Sequence, residues 1–369
     1  MPTFPGENNE QQPYPKGWGR YWDRLIPPRS ATTQRHGDCW QGGVRLTIEM
    51  RPAPPLAIPD GSARLGPPDL FLRFWGVRGS IPSPGPETVQ YGGNTSCVEL
   101  RLGDERLILD AGSGIRRLGL NLARELEEKG LRTTLLISHT HWDHIQGLPF
   151  FLPAYSPVSR LRVLGAPGTR ARLRAALTAQ MDQTQFPVAL DALDGISVID
   201  EFAAEATTVG PFAVRTIGLN HPGGCTGFRM AIAGKSVAYL PDHESYRNAI
   251  DSPDPVVAAA ARQAQAELVR FLAGCDLLIL DAQYDRAEYP EHIGWGHGCL
   301  DDSVGLALQA GVGCLFLFHH DPNHDDAQID AMVAEARRQV AEAGSNLRVE
   351  AARELVEIVL RSRSKRLAA

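Results

Sequence analysis

The sequence predicts an α/β protein, α+β in its hairpins, layered with sheets inside and helices outside. Short apolar runs of strand length fall into two groups, each mixing closely spaced pairs with amphipathic helical stretches, and no internal repeat is visible. Hydrophobic residues make up 43% of the 369 and charged residues 22%, enough for a sizeable core.

Residues 1–69 are rich in proline and poor in periodic apolar positions, so an irregular extension is expected there, with Val44–Met50 as a short strand. Residues 70–369 are expected to form the main domain. Strands are predicted at Leu70–Trp75, Ser96–Arg101 and Arg106–Leu109, the last two around a Gly103-Asp104 turn. Ile115–Lys129 reads as a helix with Leu118, Leu122 and Leu126 on one face, closed by Gly130. Leu135–Ser138 reads as a buried strand, Leu161–Leu164 as another, and Thr169–Met181 as a helix. Strands follow at Ile196–Asp200, Ala213–Leu219, Gly227–Ala233 and Ser236–Leu240. An Ala-rich helix spans Pro255–Leu272, then strand Asp276–Leu280, helix Ser303–Ala310, strand Cys314–Phe318 and helix Ala327–Ala343.

A net charge of −6 gives no global basic field for nucleic acid. Six scattered cysteines (Cys39, Cys97, Cys225, Cys275, Cys299 and Cys314) form no C-x-x-C pair and read as reduced thiols. With no signal pattern and no apolar run of membrane length, the expected setting is the cytoplasm, without a membrane partner.

The densest chemistry is His139-Thr140-His141-Trp142-Asp143-His144, directly after a predicted strand. Neutral imidazoles and ionised carboxylates are ligands for divalent metals, zinc first and manganese second. One loop cannot complete two metal sites, but further candidates recur at strand ends: His221, Asp242, and His319 with His320. His297 lies in Gly294-Trp295-Gly296-His297-Gly298 and Asp281 ends another predicted strand. The polar run His324-Asp325-Asp326 reads as a solvated loop.

Through H-x-H-x-D-H, the chain resembles the metallo-β-lactamase-fold superfamily. More narrowly it resembles the phosphodiesterase branch that includes ribonuclease Z and the phosphodiesterase of the carbon–phosphorus lyase pathway. Further matches are Phe74-Trp75-Gly76-Val77-Arg78-Gly79-Ser80, Tyr91-Gly92-Gly93-Asn94-Thr95-Ser96-Cys97, Leu109-Asp110-Ala111-Gly112 and Gly294-Trp295-Gly296-His297. The resemblance implies an αββα sandwich with two divalent metals at one edge. It places His139, His141 and His221 on one metal, Asp143, His144 and His319 on the other, and Asp242 between them. A hydroxide bridging the metals would attack phosphorus, His297 would give the leaving group its proton, and Asp281 would orient His297. Asp110 is expected to steady the metal-binding loops through hydrogen bonds.

The expected function is therefore a dinuclear phosphodiesterase acting on a small cyclic nucleotide or another phosphodiester. The Gly-His motif and the Arg78-containing start favour phosphorus over carbon. An RNA-processing endonuclease of ribonuclease Z type stays open, because Arg160, Arg162, Arg170, Arg172 and Arg174 form a basic stretch. A lactone or thioester hydrolase, a non-catalytic ligand sensor and a homodimer also stay open.

Overall fold

The computed structural model describes residues 35–41, 44–52, 69–122 and 130–362. Its strands are β1 Arg35–Gln41, β2 Val44–Pro52, β3 Leu70–Gly76, β4 Cys97–Leu102, β5 Glu105–Leu109, β6 Arg132–Leu136, β7 Arg160–Gly165 and β8 Ile196–Glu201, then β9 Ala206–Val209, β10 Phe212–Leu219, β11 Cys225–Ile232, β12 Lys235–Leu240, β13 Leu277–Asp281, β14 Cys314–Phe318, β15 Arg348–Ala351 and β16 Val356–Ser362. They build two mixed sheets, ordered β1-β2-β16-β3-β4-β5-β6-β7-β8 and β15-β14-β13-β12-β11-β10-β9.

The sheets pack face to face through Leu72, Phe74, Leu107, Tyr239, Ile279, Phe316 and Phe318. Helices α1 Gly114–Asn121 and α2 Arg170–Gln180 cover the first sheet, where Ile115, Leu118, Leu173 and Leu177 are buried. Helices α3 Pro255–Leu272, α4 Leu300–Gln309 and α5 Asp326–Glu342 cover the second through Leu268, Val304 and Met332. This is the expected αββα sandwich. Strands β13 and β14 are buried at every residue and pair in parallel, which explains their unbroken apolar runs. Edge-side β10 alternates inward and outward instead.

The irregular extension expected over residues 1–69 needs one correction. Strands β1 and β2 pair antiparallel, and β2 pairs with β16 in the first sheet. The remaining residues of that extension, up to 68, and the end of the first predicted helix, residues 123–129, lie outside the described residues. Among the described residues no helix is long and apolar enough to cross a membrane.

Candidate metal centre

The His139–His144 motif lies just past the end of β6. Asp110, at the end of β5, fixes the turn: its carboxylate accepts from Ser138 N at 2.7 Å, Ser138 Oγ at 2.8 Å and Tyr239 Oη at 2.8 Å, and it faces His144 Nδ1 at 2.8 Å. Asp110 has φ +59° and His319, at the end of β14, has φ +60°. Non-glycine residues in this region are strained, and both occur where a strand must turn its side chain into the site.

Donor atoms then converge in two adjoining groups. His139, His141, His221 and Asp242 form one, and Asp143, His144 and His319 form the other. Asp242 has one oxygen for each: Oδ2 lies 3.5 Å from His139 Nε2 and 3.6 Å from His221 Nε2, while Oδ1 lies 3.0 Å from His144 Nε2 and 3.4 Å from His319 Nε2. Asp143 Oδ2 stands 3.2 Å from both His144 Nε2 and His319 Nε2. The far nitrogens are occupied. His139 Nδ1 meets Ser138 Oγ, His221 Nδ1 donates to Gly296 O at 2.9 Å, and His319 Nδ1 meets Gln283 Oε1 at 2.9 Å. Such partners fix each ring so that the other nitrogen faces inward.

The donor set fits divalent cations. His139 Nε2 is buried without a hydrogen-bond partner, and buried His144 Nε2 and Asp242 Oδ1 face each other at 3.0 Å. Asp110, Asp143, Asp242 and Asp281 are all buried here, and among the described residues no Lys or Arg pairs with any of them. Burial, reinforced by neighbouring rings, holds His139, His141 and His221 below the usual histidine range, as neutral ligands require. Burial opposes the charge on Asp143 and Asp242, yet the imidazoles around them, His144 foremost, hold both carboxyls well below their usual range. Burial also opposes charge on His144, but Asp143, Asp242 and Asp110 pull it well up. Positive charge is what this cavity calls for.

His297 lies beside both groups. It is 3.9 Å from Asp242 Oδ2 and stacks on His319 with ring centroids 4.7 Å apart. Its Nδ1 is 2.9 Å from Asp281 Oδ2. Burial works against the protonated ring, but Asp281, then Asp242 and Asp143, outweigh it and push its pKa up to about 9.

His320 turns away, with Nε2 at 2.9 Å from Ala352 O, so of the adjacent pair it is His319 that faces the carboxylates. Arg78 requires a correction. It is fully buried and donates to the carbonyls of Gly92, Asp321 and His324, so it braces loops and offers no argument for phosphorus. Of the run expected as a solvated loop, Asp325 is exposed and caps α5, and Asp326 accepts from Gln90 N and Tyr91 N; only His324 departs, being buried against Glu288, and none of the three joins the converging donors. Sequence reading missed Tyr239, Gln283 and Glu244, none of which carries a pattern that separates it from ordinary core or loop polarity.

The matching family model, described as the beta-lactamase superfamily domain, covers residues 105–320. Ribonuclease BN of Salmonella paratyphi C is 25% identical over 266 residues, 62% of this chain and 83% of the relative. Among solved structures, YhfI of Bacillus subtilis, a metallo-β-lactamase fold protein, superposes with TM-score 0.56 at 20% identity, over 79% of this chain and 99% of that one. The short form of human tRNase Z gives TM-score 0.50 at 19% identity, over 78% and 98%. With its two-sheet sandwich, its converging His and Asp donors and a family match over more than half its length, the chain belongs to the beta-lactamase superfamily domain family and is a metallo-β-lactamase-fold hydrolase.

Proposed function

We propose that this protein is a dinuclear phosphodiesterase that hydrolyses a small cyclic nucleotide or another phosphodiester. The observation that carries the reading is His297, an imidazole whose Nδ1 lies 2.9 Å from buried Asp281 Oδ2, beside two groups of side chains suited to hold metals. An alkoxide leaving from phosphorus needs a proton, and a positioned imidazolium supplies one near neutral pH.

In this reading His139, His141 and His221 hold one cation, Asp143, His144 and His319 hold the other, and Asp242 serves both. Zinc is the first choice for so imidazole-rich a set and manganese the second. Two such cations supply an activated water and neutralise the charge that builds on the phosphoryl oxygens. The chain does the rest. Asp281 keeps His297 protonated on Nδ1, leaving Nε2 to release its proton as the P–O bond to the leaving group breaks.

Two further features suit a nucleotide. Trp142 and Trp295, within the loops that carry His141 and His297, are 62% and 60% exposed, and indole faces stack on bases. On α2, Arg170 pairs with Asp200 and Arg174 with Asp191, whereas Arg172 reaches Gly223 O at 2.7 Å, two residues after His221. The position a Cβ on Gly223 would take lies 3.3 Å from Arg172 Nη2 and 3.8 Å from His141 Nε2, so this guanidinium stands at the rim. The ribonuclease BN relative favours a second reading, an RNA endonuclease, for which the same arginine is suitable.

The test is the protein loaded with zinc or manganese and offered bis-p-nitrophenyl phosphate, 2′,3′- and 3′,5′-cyclic nucleotides, a short RNA and a lactone. Diester cleavage that His139→Ala abolishes is expected. Lactone turnover without diester cleavage refutes the proposal, and cleavage of RNA alone selects the second reading.

A further inference from the structure

We propose that Glu244 is the positioning residue that seats the Gly294–Gly298 loop, and through it sets where His297 delivers its proton. The inference rests on His297 being the proton donor.

Glu244 follows Asp242 by two residues, is only 5% exposed, and has no Lys or Arg partner among the described residues. Its carboxylate is satisfied by the loop instead. Oε1 accepts from Tyr289 Oη at 2.9 Å and from Gly294 N at 2.9 Å, and Oε2 accepts from Gly296 N at 2.9 Å and from Gly294 N at 3.1 Å. Gly294 and Gly296, on either side of Trp295, both have φ +87°, a left-handed conformation that suits glycine and keeps these amides out of a regular ladder. A buried carboxylate gathers them.

The other end of Glu244 is tied to the first metal-ligand group. Its N–H donates to Asn220 O at 3.0 Å and its carbonyl accepts from Asn220 Nδ2 at 3.0 Å. The residue after Asn220, His221, donates from Nδ1 to Gly296 O at 2.9 Å. Glu244, Gly296, His221 and Asn220 thus form a closed circuit. The loop has no slack against it, since a Cβ on Gly296 would lie 2.4 Å from His221 Nδ1 and 2.2 Å from Pro222 Cδ. Asp281 orients the His297 ring, whereas Glu244 fixes the backbone that carries it.

Glu244→Gln keeps the volume but turns an amide donor toward one of the clamped N–H groups. A proton donor contributes about 10²- to 10⁴-fold, and misplacement of a reacting group by about 1 Å costs about 10²-fold. On that basis Glu244→Gln lowers kcat about 10- to 100-fold for a diester with a nucleoside leaving group. For bis-p-nitrophenyl phosphate, whose leaving group needs no proton, the loss stays under about threefold. KM and metal content by mass spectrometry stay at wild-type levels. Tyr289→Phe, which removes a single bond of the clamp, gives a smaller loss with the same selectivity. In a His297→Ala background Glu244→Gln adds nothing further. Hydrogen exchange at the Gly294 and Gly296 amides is faster in Glu244→Gln than in wild type.

Equal losses on both diesters, or an undiminished effect in the His297→Ala background, overturn the inference. If His297→Ala itself shows no leaving-group selectivity, the assignment of His297 fails. Exchange at the two glycine amides then decides the loop anchor separately, and unchanged exchange overturns it.

Discussion

Asp110→Asn isolates what a buried carboxylate does for a metal centre it does not enter. Asn has the same shape and tolerates φ +59° at least as well as Asp, so backbone strain is held constant. What changes is acceptor capacity. Four donors converge on Asp110: Ser138 N and Ser138 Oγ, Tyr239 Oη and His144 Nδ1, at 2.7–2.8 Å. An asparagine must place its NH₂ against some of them. The less damaging placement faces the Ser138 amide, whose proton cannot rotate away. That forfeits one charge-assisted bond, about 1.5–3 kcal/mol, and leaves a buried donor unpaired, for a total of about 3 kcal/mol. The three remaining bonds weaken as the acceptor becomes neutral. The weakened bond to His144 Nδ1 holds that ring less firmly, which lowers metal affinity about 10-fold. Urea unfolding of the chelated protein reads the first effect, and competition against a chromogenic chelator reads the second. A loss under about 0.5 kcal/mol together with unchanged metal affinity refutes the reasoning, because the four bonds would then be incidental.

Three further outcomes are expected. Glu99 is buried against Arg106 at 2.6 Å and accepts from Trp75 Nε1; burial raises its carboxyl, but Arg106 and Arg73 outweigh this and hold it below the ordinary 4.5. Its contribution is thus complete above pH 4.5 and fades as pH falls through the lower folded value; Glu99→Gln destabilises by about 3 kcal/mol at pH 7 and flattens the acid limb of urea midpoints against pH. Gly79→Ala puts a Cβ 2.3 Å from His319 Nδ1, so the ring must move; mass spectrometry is expected to find one cation per chain, where two cations per chain would show that the ring adapts. Chelation lowers unfolding stability by about 2.7 kcal/mol per cation at free metal one hundred times Kd, read as a fall in urea midpoint that added zinc reverses.

Much of this architecture is local in the sequence. The helix Pro255–Leu272 starts where Asp254 accepts from Val256 N with proline in the first turn, a signature visible in one dimension. Strands β13 and β14 announce themselves as unbroken apolar runs. Strand β16 does not, because Glu357 looks solvent-facing until Arg73, 284 residues away, meets it at 2.8 Å. The metal-ligand candidates were legible for a similar reason: imidazoles and carboxylates are scarce at strand ends, so their recurrence there is informative. Tyr239, Gln283 and Glu244 act on ring nitrogens and amides that only the fold brings near them. Arg78 misled because no local pattern tells that three carbonyls will close around a guanidinium.

The two sheets each supply part of the site. His139, His141, Asp143 and His144 follow a strand of the first, and His221, Asp242 and His319 follow strands of the second. Asp143 and His319 are separated by 176 residues. On a ribosome working at about 5–20 residues per second, His319 emerges about 9–35 s after Asp143. During that interval the group that needs His319 is incomplete, and the other gains its last member, Asp242, only about 5–20 s after Asp143. If these groups hold two cations as proposed, tight capture of the pair is a late event in the life of the chain, and an ion acquired earlier sits in a half-built site open to exchange.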